Sequence, residues 1–408
     1  MDLQFTIDHS SCCLLIPDSG LLAPEFCLSD TPLKGLLLDT LRRTGAITFE
    51  RYMALCLYHP EFGYYTQGRE RTGAEGDYFT SSDLHPVFAR LLARQAAEMW
   101  VCMGCPQQFS WVEMGAGRGL FACDFLNWAK RALPEFAAAL DYVAIEPALR
   151  ERQRVQARLA SLGLEREVRL LTNVEELVAT AGCFFSNELV DAFPVSVVTR
   201  RGGHLKEIYV TAEGGDLREE HGPISDPSLA AYVARYANQL EEDQRVEVNR
   251  PAMDWIRAVA AKLTRGFVVT IDYGDTAEHV YTAERPRGTL LAYRGHIASE
   301  NFFGKPGESD LTAHVNFSAL VDAGRAAGLD LTGFTTQERF LLGLGEANEF
   351  ADVYDPVQTE LEKLQARLKL KRLISPAGMG NVFKVLIQHR GVSKPQLTGL
   401  KYARNEAG

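Results

Sequence analysis

The short segment E-M-G-A-G-R-G, from Glu113 to Gly119, contains residue types that suit a nucleotide-type ligand. It follows an apolar run and precedes a helical pattern, so Gly115, Gly117 and Gly119 can turn the chain sharply and bring the backbone close to a ligand. Dinucleotide loops read G-x-G-x-x-G, whereas Leu120 occupies the place of the last glycine here. A carboxylate at Glu113 would repel a pyrophosphate but tolerate a sulfonium and an ammonium. The loop therefore favours S-adenosylmethionine over a dinucleotide.

Glu146 ends the next predicted strand, DYVAIE, and is a second candidate for the same ligand. A carboxylate at this place can accept hydrogen bonds from both ribose hydroxyls, a role that dinucleotide and adenosylmethionine sites share. The structural alternative is a carboxylate stabilised by the dipole of the helix that follows. Glu146 thus supports a nucleotide-type site without choosing between the ligands.

The segment SNELVDAFP, which follows another predicted strand, contains carboxylates that could act on a methyl acceptor. Methyl transfer is an in-line displacement at carbon, and a cationic acceptor must also lose a proton. Glu188 and Asp191 lie at the carboxyl edge of the predicted sheet, where two carboxylates could grip a guanidinium. We predict both as catalytic and Asn187 as part of the cofactor site. Alternatively, Asn187 and Asp191 cap the turn or the next helix.

A third polar segment, DLTAHVNF, alternates polar and apolar residues, so Asp310, Thr312, His314 and Asn316 would project from one face if it is extended. His314 is the candidate general base, because its ordinary pKa is close to neutral, although a lone histidine is often a structural residue. Asp272 and Tyr273 end the predicted strand GFVVTIDYG and could shape the pocket without reacting.

Alternating strand and helix patterns position these residues. They predict an α/β fold with a Rossmann-like parallel sheet that has helices on both faces. A helical and lid region precedes the sheet, and a hairpin pattern, SVVTRRGGHLKEIYVT, begins an inserted α/β segment. The predicted parts are an N-terminal extension (1–44), the helical and lid region (45–105), the cofactor-binding core (106–194), the insertion (195–262), the rest of the core (263–390) and a C-terminal tail (391–408).

Motifs along residues 45 to 390 identify a known family. They are ITFERYMALCLYHPEFGYY, GDYFTSSDLHPVFARLLA, VEMGAGRGLFACDFL, IEPALRERQ, SNELVDAFPV, VVTIDYG, TLLAYRGH, ESDLTAHVNFSALVDAG and PAGMGNVFKVL. With them the chain resembles the MidA-like methyltransferases, which include the mitochondrial factor that methylates an arginine during assembly of respiratory complex I. The family commonly has proline at Ala116 and aspartate at Asn316, and its lid differs at residues 80–83.

The resemblance implies a class I methyltransferase fold, S-adenosyl-L-methionine as cofactor and a protein arginine as methyl acceptor, in a complex I subunit or a bacterial counterpart. It also implies that the lid closes over the cofactor, with Asp77 near its charged amino-acid end. Two other hypotheses are a non-catalytic assembly factor that uses the insertion as an interaction surface, and a nicotinamide dehydrogenase, which the loop spacing disfavours.

Composition limits the compartment and the partners. The 408 residues contain 43 Lys and Arg against 53 Asp and Glu, a formal net charge of -10, which disfavours binding to nucleic acid or anionic membranes. The start lacks the pattern of a signal or transit peptide, no apolar run could span a bilayer, and the irregular cysteines fit a reducing compartment. We expect a bacterial cytoplasmic protein with a protein substrate and no metal. The sequence is compatible with a homodimer but does not fix the oligomeric state.

Overall fold

The computed structural model describes residues 31–68, 77, 81–355, 358–376 and 378–403, with the side chains of 82 and 83 left out. Parts of four predicted regions therefore lie outside the described residues: 1–30 of the N-terminal extension, 69–76 and 78–80 of the lid, 356–357 and 377 of the rest of the core, and 404–408 of the tail. The chain divides into two compact units, which we call the core unit and the small unit. The core unit comprises Gly68–Phe193, Arg250–Thr276 and His314–Gly408, and the small unit comprises Met1–Gln67, Pro194–Asn249 and Ala277–Ala313.

Strands and helices are numbered along the chain. The strands are β1 (Ile47–Thr48), β2 (Phe109–Met114), β3 (Leu140–Ile145), β4 (Val168–Leu171), β5 (Thr180–Asn187), β6 (Ser196–Arg201), β7 (His204–Glu213), β8 (Asp216–Gly222), β9 (Arg245–Val248), β10 (Leu263–Asp275), β11 (Leu291–Arg294), β12 (Ile297–Ser299), β13 (Asp310–Thr312), β14 (Val315–Asn316), β15 (Asp330–Thr336) and β16 (Phe383–Arg390). The α-helices are α1 (Pro32–Thr44), α2 (Phe49–Tyr58), α3 (Ser81–Leu84), α4 (Val87–Cys102), α5 (Leu120–Ala132), α6 (Pro134–Ala139), α7 (Leu149–Ser161), α8 (Pro227–Tyr236), α9 (Arg250–Lys262), α10 (Ala277–Val280), α11 (Phe317–Ala326), α12 (Gln337–Glu346), α13 (Glu360–Ile374) and α14 (Met379–Val382). Short 3-10 helices span Val174–Glu176, Ala351–Val353 and Thr398–Leu400.

The core unit is built on a sheet in the order β15-β16-β10-β5-β2-β3-β4, with β14 beside β10. The strands from β10 to β4 run parallel, whereas β16 pairs antiparallel with both β10 and β15. Helices connect the parallel strands, as such pairs require. The predicted α/β class and the Rossmann-like sheet are confirmed.

Side chains along each central strand point alternately to the two faces of this sheet. Trp111 and Phe185 belong to one core, where their ring centroids lie 5.2 Å apart, and α4, α5, α12 and α13 cover that face. Val112 and Phe184 belong to a second core on the opposite face, which α9 and α11 cover. Both faces are apolar, so the strands read as continuous hydrophobic runs, and helices on both faces bury them.

The small unit contains the inserted strands. The predicted hairpin is confirmed: β6 and β7 pair antiparallel, with β8 beside β7 and β9 beside β6. A second sheet has the order β12-β11-β13. The segment Pro194–Asn249 ends before α9, which packs in the core unit, and Ala277–Ala313 also belongs to the small unit. The predicted insertion extends to residue 262 and includes α9, whereas the observed units place α9 in the core unit and Ala277–Ala313 in the small unit.

Candidate functional site

The glycine loop joins β2 to α5 at the carboxyl edge of the core sheet. All three glycines are left-handed, with φ of 76° at Gly115, 51° at Gly117 and 71° at Gly119, a region that side chains with a Cβ disfavour. A Cβ at Gly115 would lie 3.0 Å from Leu189 Cδ1, and one at Gly119 would lie 3.1 Å from Val155 Cγ1. Among the described residues, apart from the two chain neighbours of Gly117, no atom would lie within 4 Å of a Cβ at Gly117. The loop thus packs tightly against side chains at both ends, whereas its centre borders space that no described residue fills.

Glu146 lies directly after β3 and holds the middle of the loop. Its Oε2 accepts a hydrogen bond from the Gly117 N–H at 3.0 Å, and its Oε1 accepts one from the Ala148 N–H at 3.0 Å. The side chain is buried. Glu146 therefore joins the glycine loop to the end of the neighbouring strand, a contact that sequence analysis did not predict.

Glu113 is buried in β2, where it accepts a hydrogen bond from the Tyr142 hydroxyl at 2.6 Å. Burial raises the pKa of Glu113 from 4.5 to about 8; the hydrogen bond from Tyr142 lowers it, and the charge of Glu146 raises it. Near neutral pH the carboxyl group is therefore mainly protonated. A cation placed nearby would favour its ionised form.

We expect Glu113→Gln to stabilise the protein at alkaline pH. Because the folded-state pKa is raised above the unfolded one, the wild type loses stability as the pH rises from about 4.5 to about 8 and stays at that lower level above it. Glutamine does not ionise and can still accept the Tyr142 hydrogen bond. The gain over wild type should be on the order of 3 kcal/mol at pH 9 and absent at pH 4. Denaturant unfolding across this range measures it. Glu175→Gln, at an exposed glutamate, is the control, and a gain independent of pH would contradict the assignment.

The turn after β5 is held by Asp272, a fully buried residue of β10. Its Oδ2 accepts hydrogen bonds from the N–H groups of Leu189, Val190 and Asp191 at 3.2, 2.9 and 3.3 Å. Burial and the negative charge of Asp191 raise the pKa of Asp272, against the lowering by hydrogen bonds from the backbone N–H groups of Val190 and Tyr273. Sequence analysis placed Asp272 at the pocket edge but missed this role. The feature of the sequence that indicates this role is the position of Asp272 near the end of a buried strand.

Glu188 begins this turn in a left-handed conformation, with φ of 52°, which is costly for a residue with a Cβ. Its N–H donates to the Ile271 carbonyl at 3.0 Å, so the backbone is held from β10. Glu188 Oε1 accepts hydrogen bonds from the Ser81 N–H at 3.0 Å and from Asn187 Nδ2 at 2.9 Å. Ser81, at the start of α3, is a contact that sequence analysis did not predict. The Glu188 carboxylate is therefore held by one distant residue, Ser81, and by its neighbour Asn187, while its backbone is held from β10.

Asp191 and His314 both contact Tyr273. The Tyr273 hydroxyl donates a hydrogen bond to Asp191 Oδ2, and its ring centroid lies 5.7 Å from that of His314 in an edge-on arrangement. Burial raises the pKa of Asp191 to about 6, and the hydrogen bond from Tyr273 lowers it. Among the described residues, Asp191 Oδ1 has no hydrogen-bond partner. The structure thus brings together a carboxylate, a phenol and an imidazole.

The remaining predicted site residues have different places. Asp77 is buried and belongs to the core unit. The polar row from residue 310 to 316 is not one strand, which corrects the prediction of a single face. Asp310, in β13 of the small unit, accepts a hydrogen bond from Tyr65 at 2.8 Å. Asn316 caps α11 through the Ala319 N–H at 3.3 Å, so its side chain has a structural role.

Metal-binding clusters and membrane-spanning helices are both lacking in the described part of the chain. No cluster of three or more His, Cys, Asp or Glu side chains could hold a metal ion there. The helices given above also include none whose length and apolarity would allow it to cross a bilayer.

Both the sequence and the fold of this chain match those of known proteins. The family model of S-adenosyl-L-methionine-dependent methyltransferases matches residues 91–335. A crystal structure of a COG1565 superfamily member from Burkholderia thailandensis, bound to S-adenosyl-homocysteine, has a TM-score of 0.81 and 32% identity, covering 91% of this chain and 95% of that one.

Curated relatives carry a more specific name. The mitochondrial protein arginine methyltransferase NDUFAF7 of Mus musculus is 26% identical over 383 residues, with 86% of this chain and 83% of that protein covered. The human protein of the same name is 26% identical over 407 residues, with 92% and 86% covered. The location of this chain in a bacterial cytoplasm stays a prediction.

Proposed function

Because this chain belongs to the S-adenosyl-L-methionine-dependent methyltransferases and its cofactor is S-adenosyl-L-methionine, we propose that it methylates an arginine side chain of a protein. The family and the cofactor confirm the resemblance and the ligand predicted from the glycine loop. The observation that carries the arginine proposal is the pair of carboxylates, Glu188 and Asp191, held on one turn after β5. The name of the mitochondrial relatives supports the same acceptor.

The residues around the glycine loop fit this cofactor. No described residue fills the space beside Gly117, and the Glu146 carboxylate lies against the same loop, where it would accept hydrogen bonds from ribose hydroxyls. Asn187 Oδ1 is a buried acceptor without a hydrogen-bond partner among the described residues, which suits a donor such as an ammonium group. Glu146 and Asp77 would suit a ligand with two cationic centres, and such a ligand would favour the ionised form of Glu113. The site therefore offers what the cofactor would need.

Each predicted residue has a distinct role in this proposal. S-adenosyl-L-methionine supplies an electrophilic methyl group on its sulfonium. The cofactor would lie directly against the loop backbone, because the loop has no side chains at Gly115, Gly117 and Gly119. Glu146 would orient its ribose. Glu113, in its ionised form, would balance the positive charge of the ligand. Asp77 and Asn187 would hold the amino-acid end.

The acceptor would be handled by the turn after β5. Glu188 would grip the guanidinium through charge-assisted hydrogen bonds, since its carboxylate is fixed by Ser81 and Asn187. The methylated nitrogen must lose a proton, and Asp191 Oδ1 would accept it because burial raises the pKa of Asp191 towards neutral. Tyr273 would keep that carboxylate in position. His314, which contacts the Tyr273 ring, is the second candidate for the base.

A labelling experiment tests the acceptor. The purified chain is incubated with S-adenosyl-L-methionine labelled on its methyl group and an extract from cells that lack this gene. We expect labelled protein that yields methylated arginine after acid hydrolysis, with a complex I subunit or its bacterial counterpart as the first protein to examine. The same incubation with Glu188→Gln provides the background. Label found only on lysine or on small molecules would exclude arginine as the acceptor.

A further inference from the structure

The outward face of α13 carries a stripe of leucines, and we propose that it is the contact through which two copies of this chain pair antiparallel. Leu361, Leu364 and Leu368 are 64%, 50% and 56% exposed. Their spacing of three and four residues places them along one side of the helix. Such a row of exposed leucines is uncommon on an unpartnered helix, since this surface normally carries polar side chains.

The other side of α13 already has its packing partners. Ala366, Leu370 and Leu373 are buried and belong to the core that covers one face of the sheet. At 100° per residue, these positions lie on the opposite side of the helix from Leu361 and Leu368. The core therefore does not account for the exposed leucines. The exposed leucines have the spacing of the a and d positions of a coiled coil, and we call the row of Leu361, Leu364 and Leu368 the seam.

The charges of α13 favour a second copy as the occupant, in antiparallel orientation. Its first turn carries Glu360 and Glu362, whereas its last turns carry Lys369, Lys371 and Arg372. Antiparallel pairing places the acidic end of one helix beside the basic end of the other, and it opposes the two helix dipoles favourably. A parallel pair would bring like charges together. A twofold axis between the helices generates this arrangement from one surface.

The length of the seam sets the expected affinity. A helix of 15 residues is about 22 Å long, so one such pair buries less area than the roughly 1,600 Å² of a standard interface. The dimer should therefore dissociate in the micromolar range, at about -8 kcal/mol.

Sedimentation velocity of the full chain from about 1 to 100 µM tests the dimer. The wild type should shift from monomer to dimer over this range. Replacing Leu361, Leu364 and Leu368 together by glutamine, which keeps the helix propensity, should raise the dissociation constant at least about tenfold. Leu149→Gln, at a leucine 61% exposed on α7, is the matched control and should dimerise like the wild type. A monomer at 100 µM, or a triple variant that dimerises normally, would overturn the proposal.

A charge exchange tests the orientation. Lys371→Glu should weaken the dimer, and Glu360→Lys added to it should restore the affinity, because the two ends meet across the seam. Failure of this rescue would overturn the antiparallel arrangement. Vesicles of anionic lipid are the remaining probe: binding to them by a monomeric wild type, lost in the triple glutamine variant, would assign the stripe to a membrane surface and overturn the dimer.

Discussion

Glu188→Gln is expected to lower methyl transfer by about 100-fold to 10,000-fold while cofactor binding persists. Glutamine keeps an oxygen that can accept from the Ser81 N–H and from Asn187 Nδ2, so the turn should hold its shape. The variant loses the negative charge that would grip a guanidinium. The loss should appear in kcat, because the attraction between the carboxylate and the acceptor strengthens as the acceptor nitrogen takes up the positively charged methyl group in the transition state.

The measurement combines a methyl-transfer assay with calorimetric titration by S-adenosyl-L-methionine. Glu175→Gln, at an exposed glutamate of the same core unit, serves as the control and should leave both readouts unchanged. Unchanged methyl transfer by Glu188→Gln would remove Glu188 from catalysis. Biological activity that survives in the absence of methyl transfer would instead favour a scaffold that binds the cofactor without using it.

Gly117→Val is expected to abolish cofactor binding, with at least a 100-fold rise in the dissociation constant, or about 2.7 kcal/mol. Gly117 has φ of 51°, and a Cβ there would have no atom of the described residues within 4 Å apart from its chain neighbours. Valine would fill that space and would also be strained in the left-handed region. Calorimetric titration with S-adenosyl-L-methionine measures the loss.

Gly163→Val is the matched control for backbone strain. Gly163 also has a left-handed φ, of 68°, and in the described part of the chain an added Cβ there would likewise meet nothing within 4 Å beyond its chain neighbours. It lies after α7 and outside the glycine loop. Both variants should lose similar stability in thermal unfolding, whereas only Gly117→Val should lose the cofactor. Equal loss of binding in the two variants would show that strain, and not the loop, is responsible.

Much of the core unit could be predicted from the sequence because its local patterns agree with its final structure. The buried strands appear as short apolar runs, and the observed β2, Phe109–Met114, lies within the run that predicts it. The cap of α2 is also local: Thr48 accepts from the Arg51 N–H at 3.2 Å. Helix α9 was assigned to the insertion because chain order does not reveal which core an amphipathic helix joins.

The segment from Asp310 to Asn316 shows where local pattern fails. Its alternation predicts one extended strand, but β13 ends at Thr312 and β14 begins at Val315. β13 pairs with β11 in the small unit, whereas β14 pairs with β10 in the core unit. Backbone hydrogen bonds to two different sheets therefore break the row, and no local property of these residues specifies those partners.

By itself, the sequence determined the glycines that permit a left-handed loop, the carboxylates that follow β3 and β5, and the parallel sheet that places them at one edge. Only the tertiary structure decided which distant groups meet them. Ser81 and Glu188 are 107 residues apart, and Tyr273 and Asp191 are 82 apart, yet each pair is joined by a hydrogen bond. The physical reason is strand order: β10 lies beside β5, so the ends of two distant segments share one edge, and burial there raises the pKa of Asp191. Periodicity along the chain encodes which side of a strand is buried, but not which strand lies next to it.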